Sequence, residues 1–586
     1  MKDTIRTGCS SLLARYPFWP AAALVSGLYT WLCLLACMTA LSPVGVLALW
    51  VFLFGTSLFG WERRPQTGEA VAALALCGSI WFCLLGQLAA TGTFPFGAAF
   101  FGGWALLVAL GLPSALGLLR LAVRARLPYS STPAPRLLPL WACYTGVLLL
   151  FWLPVYLCWG PVRLDPDSVG LLTQAFEGGL NDAHPITYTL LLKLVLWPFY
   201  RLGQMELGAY LFGALQMTLV AAMLAYSLVW MLRRGAGPLL TALGLALFCS
   251  TTLYAFHSLV LWKDPLFNGA LLLYSLFLYD AARSKGALLC TPKGAAQLVG
   301  LTLAVCFLRG NGWLICVACS LALLGFRAGR KRVIALAVPL LLAIKLLTGP
   351  VYAALGLSSP LTAEAWAIPL QQVGYVATHS PEDFSPQQAE ALGRVIPLEA
   401  MGQAYTKSTV DTIKRDPAFN LQYFGTSQGK LDLLGVWLEL MPTHLGDYAI
   451  AWLNETTLYT NPRFAGGSYA YTNESENGAF GICSKDIVQY LTGSDFLRQE
   501  LAARATFIPP ALLAFGLAAL GAALALRRQG HLVLAFLPMY LVWLGMLVGS
   551  PSAGQLRYML VFAFSIPSAL WMAFAKPIDE NRTFIV

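Results

Sequence analysis

Apolar runs of about twenty residues, parted by short polar stretches, set the pattern of this chain. A bilayer crossing needs roughly 20 apolar residues. Fourteen stretches qualify, near 19–41, 43–60, 70–91, 99–123, 138–159, 206–231, 237–256, 264–281, 296–309, 310–326, 333–348, 507–526, 531–548 and 555–574. The pair 296–309 and 310–326 is short, and reads as a helical hairpin or as one long helix. Ile186 to Tyr200 is apolar too, but it is only about 15 residues long and is broken by Lys193 and Pro198. It is expected to lie in the outer interface as a helix.

The positions of Lys and Arg choose the register. With the N-terminus inside and fourteen crossings, one face receives Arg63-Arg64; Arg120, Arg124, Arg126 and Arg136; Arg233-Arg234; and Arg283, Lys285 and Lys293. The same face receives Arg327, Arg330, Lys331 and Arg332, then Arg527-Arg528, Lys576 and Arg582. Cytoplasmic loops carry such an excess, so the hairpin is kept and the interfacial helix is not counted as a crossing. The fold class expected is an all-α polytopic membrane protein of about 14 transmembrane helices, with an extracytoplasmic ectodomain of mixed or irregular structure.

Composition agrees. Of 586 residues, 58% are hydrophobic and 11% charged, against about 25% charged in soluble domains. The basic excess, 38 Lys and Arg against 28 Asp and Glu, belongs to the bilayer pattern. No RNP, zinc-finger or basic-helix signature points to nucleic acid. Lys2, Arg6 and Arg15 precede an apolar run, Trp19 to Leu41, that is too long for a signal peptide and reads as a retained anchor. The 13 cysteines lie mostly inside apolar spans, so no disulfide framework is expected. Cys316 and Cys319 have CxxC spacing but no second pair or His, and read as small packing residues.

Four units follow: 1–137, a four-helix membrane unit set off by the Pro-rich stretch Pro128 to Pro139; 138–348, a membrane core with an outer loop; 349–506, the ectodomain; and 507–586, three closing spans. Within the ectodomain Ser385 to Arg415 reads as helix, opened by Ser385-Pro386-Gln387-Gln388 as cap and first turn. Asn461-Pro462-Arg463-Phe464-Ala465-Gly466-Gly467 reads as loop.

Charged residues gather where spans meet the outer face. Arg163, Asp165 and Asp167 follow the fifth span, in Arg163-Leu164-Asp165-Pro166-Asp167-Ser168. His184-Pro185 stands before the interfacial helix, and Lys263-Asp264 lies in the next outer loop. Arg309 marks the tip of the hairpin, and Arg557-Tyr558 opens the last span. A carboxylate beside apolar surface has a raised pKa, which suits a general base. Asp is equally a favoured helix cap, and either reading fits Asp165 and Asp167. His184 reads otherwise as a turn residue, Asp264 as a cap before Pro265, and Lys263, Arg309 and Arg557 singly as interface anchors. As a set, Arg, Lys and His suit a phosphate.

This arrangement resembles the GT-C superfamily of membrane glycosyltransferases, over about residues 138 to 586. The likeness rests on the acid of the first long outer loop, Asp165 or Asp167, and on His184-Pro185 before an interfacial helix. It rests also on Asp264 in the next outer loop and on Arg557-Tyr558 at a late span. Asp167-Ser168 with His184-Pro185-Ile186-Thr187 is similar, more narrowly, to an uncharacterised bacterial family within that group. The resemblance implies a transferase of the bacterial cytoplasmic membrane that moves a sugar from a polyprenyl-phosphate donor to a cell-envelope glycan, polymer or protein. Asp167 or Asp165 would be the base. His184, Lys263, Asp264, Arg309, Arg557 and Tyr558 would bind substrate. A divalent cation is the one cofactor raised, although the second loop offers one Asp beside a Lys where many relatives carry two acids. The rival is a transporter or flippase of a lipid-linked sugar. A polymerase or ligase would use the same scaffold.

Overall fold

The computed structural model describes residues 17–37, 42–130, 137–357, 363–464, 476–505, 508–549 and 552–576. Lys2, Arg6, Arg15, Arg136 and Arg582, and the loop assignment at Ala465-Gly466-Gly467, lie outside the described residues. The described residues are helical, with three isolated β-bridges and no strand. Nine of the described helices are long and apolar enough to cross a membrane, and one further pair, Pro238–Ser250 with Thr252–Leu259, passes the same test together but is bent by 58°. The chain is an all-α polytopic membrane protein.

The first helices are α1 (Trp19–Cys37), α2 (Pro43–Trp61), α3 (Thr67–Ala90) and α4 (Ala98–Arg124). Small residues let α2 and α4 cross closely: a Cβ on Gly60 or Gly117 would collide with the carbonyl oxygen of Pro113 or Thr56. Ser57 and Ser114 hydrogen-bond across the same contact at 2.8 Å. Close approach through small residues, with hydroxyls pairing across the seam, is how helices associate where no water drives them together.

The large core is built by α5 (Leu137–Trp159), α6 (Pro166–Phe176), α7 (Ile186–Arg201), α8 (Met205–Arg233), α9 (Pro238–Ser250) and α10 (Thr252–Leu259). It continues through α11 (Asp264–Arg283), α12 (Pro292–Leu308), α13 (Gly312–Leu323) and α14 (Arg330–Leu346). The break between α9 and α10 falls at Thr251, which is extended and caps the second helix by accepting from the Leu253 N–H. The stretches 296–309 and 310–326 are two helices, parted at Arg309-Gly310-Asn311. The apolar stretch from Ile186 is one 16-residue helix.

Residues 363–464 form a second hydrophobic core of short helices. The region is helical where mixed or irregular structure was expected. Ser385 to Arg415, read as helical, is three short helices. They are α15's neighbours in this unit, which runs α15 (Ala367–His379), α16 (Pro386–Gly393), α17 (Leu398–Ala404) and a single turn, Asp411–Lys414. Ser385 and Gln388 do form the capping box that opens α16. Pro397 then ends the turn after it and starts α17. Two longer helices, α18 (Ser427–Leu440) and α19 (Leu445–Glu455), complete the unit. The closing spans contain α20 (Pro510–Leu526), α21 (Leu537–Gly549) and, after a 3-10 turn at Leu556–Met559, α22 (Leu560–Phe574).

The basic ends of several helices meet at one end of this assembly. Arg527 reaches the carbonyls of Ala122, Val123, Ala125 and Ala573. Leu127 bridges Ala575, and the Ser130 N–H donates to Gly235 O. Arg120 donates to the carbonyls of Phe59, Gly60 and Arg63 and to Glu69.

Candidate functional site

At the opposite end, two loops are stitched backbone to backbone. The Arg163 N–H donates to Leu259 O at 3.2 Å, and the Leu261 N–H to Arg163 O at 3.0 Å. Ser168 adds a third stitch, donating through Oγ to Leu261 O at 3.1 Å. The start of α6 is thereby fixed beside Trp262-Lys263-Asp264.

Local sequence explains how α6 starts. Asp165 is extended and its carboxylate accepts from the Ser168 N–H at 2.8 Å, while Pro166 takes the first helical position, where no N–H is needed. Of the two loop acids Asp165 is therefore the cap. Asp167, one turn in, is released from capping, and its Oδ2 accepts from Arg557 Nη1 at 2.7 Å. The same Nη1 lies 3.6 Å from Asp165 Oδ2. Arg557 is thus shared by both carboxylates. It also lies 4.5 Å from the Trp262 ring centroid and donates to the Tyr558 hydroxyl at 3.2 Å.

A second ion pair sits alongside. Lys263 occupies the cap position of α11, so Asp264 is the first residue of the helix and not its cap. Its fully buried carboxylate accepts from Arg309 Nη1 at 2.5 Å. The Arg309 guanidinium stacks 4.4 Å from the Tyr558 ring centroid, which joins the two pairs. On the other flank Lys263 Nζ donates to His184 Nδ1 at 3.2 Å. Six of the eight candidate residues thus form one connected network, Asp264, Arg309, Tyr558, Arg557, Asp167 and Asp165, and the bonded pair His184 and Lys263 lies beside it, where the Lys263 charge acts on Asp167 and Asp264.

The environment separates the titrating groups. Burial pushes the Asp165 carboxyl above the usual carboxylate range, against the pull of Arg557. Burial acts on Asp167 in the same direction, but the Arg557, Lys263 and His184 side chains outweigh it and hold this carboxyl well below that range. Burial, reinforced by the Lys263 charge, brings the His184 imidazole down to about 4, so it is neutral and accepts from the ammonium. Two groups of the network keep a polar atom without a hydrogen-bond partner: Arg557 Nε and Asp264 Oδ2.

Sequence reading missed the groups that hold this arrangement. Asn268 is fully buried, donates to Asp264 O at 2.8 Å and Arg557 O at 3.0 Å, and accepts from the Val561 N–H at 2.8 Å. It latches the start of α11 to the start of the last span. Gln216 donates to Ser258 O and Val260 O, and accepts from the Tyr188 hydroxyl. A polar residue one turn past Asp264, in an otherwise apolar helix, was the available signal.

The donor set does not fit a divalent cation. Asp165 and Asp167 share Arg557, Asp264 holds Arg309, and a metal among them would face those cations. Among the described residues no group of three or more His, Cys, Asp or Glu is arranged to hold a metal ion.

Beside the network lies a cavity of about 290 Å³ whose walls include Leu314, Ile315, Val542 and Met546 together with Arg309 and Tyr558. Leu314 and Val548 are exposed, so it opens on the lateral surface of the helices. The carboxylates, neutral imidazole and guanidinium groups gathered here supply a proton acceptor and anion-stabilising charges within one site.

Residues 175–461 match a family model described as "Family of unknown function (DUF6020)". The matched stretch takes in His184, Lys263, Asp264 and Arg309, and leaves out Asp165, Asp167, Arg557 and Tyr558. No curated protein and no solved structure matches the chain.

Proposed function

We propose that this protein is a GT-C-like glycosyltransferase that moves a sugar from a polyprenyl-phosphate donor to a cell-envelope acceptor, on the outer face of the bacterial cytoplasmic membrane. Fourteen crossings, with both termini cytoplasmic and 349–506 outside, belong to this reading, as do the four units 1–137, 138–348, 349–506 and 507–586. One observation carries it: the ionic network adjoins an apolar cavity that opens sideways, and Arg309 and Tyr558 belong to both. A substrate that fits has an anionic head and a hydrocarbon tail.

In the reaction the phosphate draws Arg557 from Asp167, whose carboxyl is then no longer held down by that charge and takes the proton of the acceptor hydroxyl. The oxygen attacks the anomeric carbon as the carbon–oxygen bond to phosphate breaks, inverting the configuration. The electron pair leaves on the polyprenyl phosphate, whose added charge Arg557, Lys263 and Arg309 stabilise. Arg557 Nε retains a free donor for that task.

A transporter or flippase of a lipid-linked sugar is the second reading. The broken α9–α10 pair favours it, since transporters use interrupted helices. Purified protein in proteoliposomes, given a labelled prenyl-phosphate sugar and a hydroxyl acceptor, separates the two. New glycoside with inverted configuration supports the transferase. Movement of intact donor across the bilayer with no new glycoside overturns it.

A further inference from the structure

The charges that face one another in the network balance at rest. Arg557, Lys263 and Arg309 stand against Asp165, Asp167 and Asp264, with His184 neutral between Lys263 and the acids. Tyr558, Tyr188 and His257 face it as well, with the buried Arg163 of the same loop stacked on Phe256, and the buried phenol of Tyr188 is neutral. An anionic phosphate entering such a site adds a negative charge to a set of cations that the three carboxylates already balance. In a partly desolvated setting an uncompensated charge is costly, so binding must draw in a proton or expel a carboxylate.

We infer that Asp165 is the group that takes up this proton, so that anionic donor binds together with one proton from solvent and Asp167 is left as the sole ionised acid beside the acceptor. This rests on the donor reading above. Geometry selects Asp165 over Asp167. Asp167 holds the short bond to Arg557 at 2.7 Å, whereas Asp165 lies at 3.6 Å and keeps its other oxygen for Ser168. Protonating Oδ2 of Asp165 leaves the α6 cap intact and frees part of Arg557 for the phosphate. The raised pKa of Asp165 points the same way. The step balances: one proton leaves solvent and one anion enters, so the charge of the site is unchanged. Asp165 is here a positioning residue and Asp167 remains the base.

The probe is farnesyl methyl phosphate, a prenyl phosphodiester whose single charge does not titrate near neutral pH. Its binding to the full-length protein in nanodiscs is followed by calorimetry in two buffers of different ionisation enthalpy. Close to one proton taken up per ligand is expected at alkaline pH, with affinity falling about tenfold for each pH unit raised, as one-proton linkage requires. Asp165→Asn, which still caps a helix, should bind the diester with no proton uptake and a flat pH profile. Binding without uptake in the unmodified protein overturns the inference and leaves the donor reading standing. So does uptake that survives in Asp165→Asn and disappears in His184→Gln. Failure of the diester to bind at all overturns the donor reading, and the inference with it.

Discussion

Arginine marks both ends of the helix assembly, but it is used differently at each. At one end Arg527 spends its donors on the carbonyls of Ala122, Val123, Ala125 and Ala573, and Arg120 on those of Phe59, Gly60 and Arg63 together with Glu69. Arg234 closes on Asp280 and stacks 4.1 Å from the Trp230 ring. These guanidinium groups satisfy helix C-termini or a single acid, and they join spans. At the other end Arg557 is divided between two acids and keeps Nε without a partner, and Arg309 divides itself between Asp264 and the Tyr558 ring. A guanidinium saturated by backbone carbonyls holds structure together; one shared among carboxylates, with a donor left over, can exchange partners. The type of partner, more than the number of charges, separates the two ends.

The largest expected effect belongs to the shared end. Asp167→Asn keeps the shape of the side chain and leaves the cap to Asp165, but it cannot accept a proton. Sugar transfer should fall roughly 10²–10⁴-fold, with the melting temperature unchanged. Retained transfer would show that the network lacks its base. Next comes the saturated end. Arg120 is fully buried, and Arg120→Ala leaves Glu69 and three carbonyls without it. About 3–5 kcal/mol of stability should be lost, read as a fall in melting temperature, while the donor affinity of the folded fraction stays the same. Loss of affinity there would erase the distinction between the ends.

Arg557→Ala should weaken donor binding about 10- to 100-fold, the equivalent of a charge-assisted hydrogen bond of roughly 1.5–3 kcal/mol. Arg557→Lys should recover only part, because a point charge cannot reproduce the fork. Equal affinity for all three proteins would make Arg557 an anchor of the saturated kind.

The change with the least bearing on either end concerns Glu455, a fully buried carboxyl facing Asp411 and Lys414. Burial, with Asp411 adding to it, pushes its carboxyl up to about 8. The folded state therefore holds this proton more tightly than the unfolded chain. That contribution is complete below the ordinary Glu range and is lost as pH rises toward about 8. Glu455→Gln, which mimics the protonated acid, should melt with the parent below the ordinary Glu range and increasingly above it as pH rises toward about 8. A parent whose melting temperature rises with pH across this interval would contradict the assignment.

Much of the fold was legible because a bilayer crossing writes itself in apolar length. Among the described residues nine of the fourteen apolar stretches hold helices long and apolar enough to cross, and the hairpin break falls at Arg309-Gly310-Asn311. The residues of the network were legible for a related reason: charge at the end of an apolar span is conspicuous. Their pairing was not. Nothing in Lys263-Asp264-Pro265 says that Asp264 binds Arg309 and not its neighbour Lys263, because that choice depends on where α12 ends in space. The division of Ser385 to Arg415 into three helices was not legible either. These short helices end at turns such as Arg394 to Pro397, where tertiary packing decides what propensity leaves open.

The bond between Arg557 and Asp167 joins residues 390 positions apart. At about 5–20 residues per second the ribosome needs roughly 20–80 s to cover that distance. Throughout that interval Asp165 and Asp167 are already made, and the cation they share is not. Asn268 likewise waits for Arg557 and Val561 before its latch can close. The site is therefore incomplete until Arg557 has been made, and the helix that carries it is the one that closes it. A chain cut short before Arg557 would carry six of the eight candidate residues and leave Asp165 and Asp167 without the cation they share.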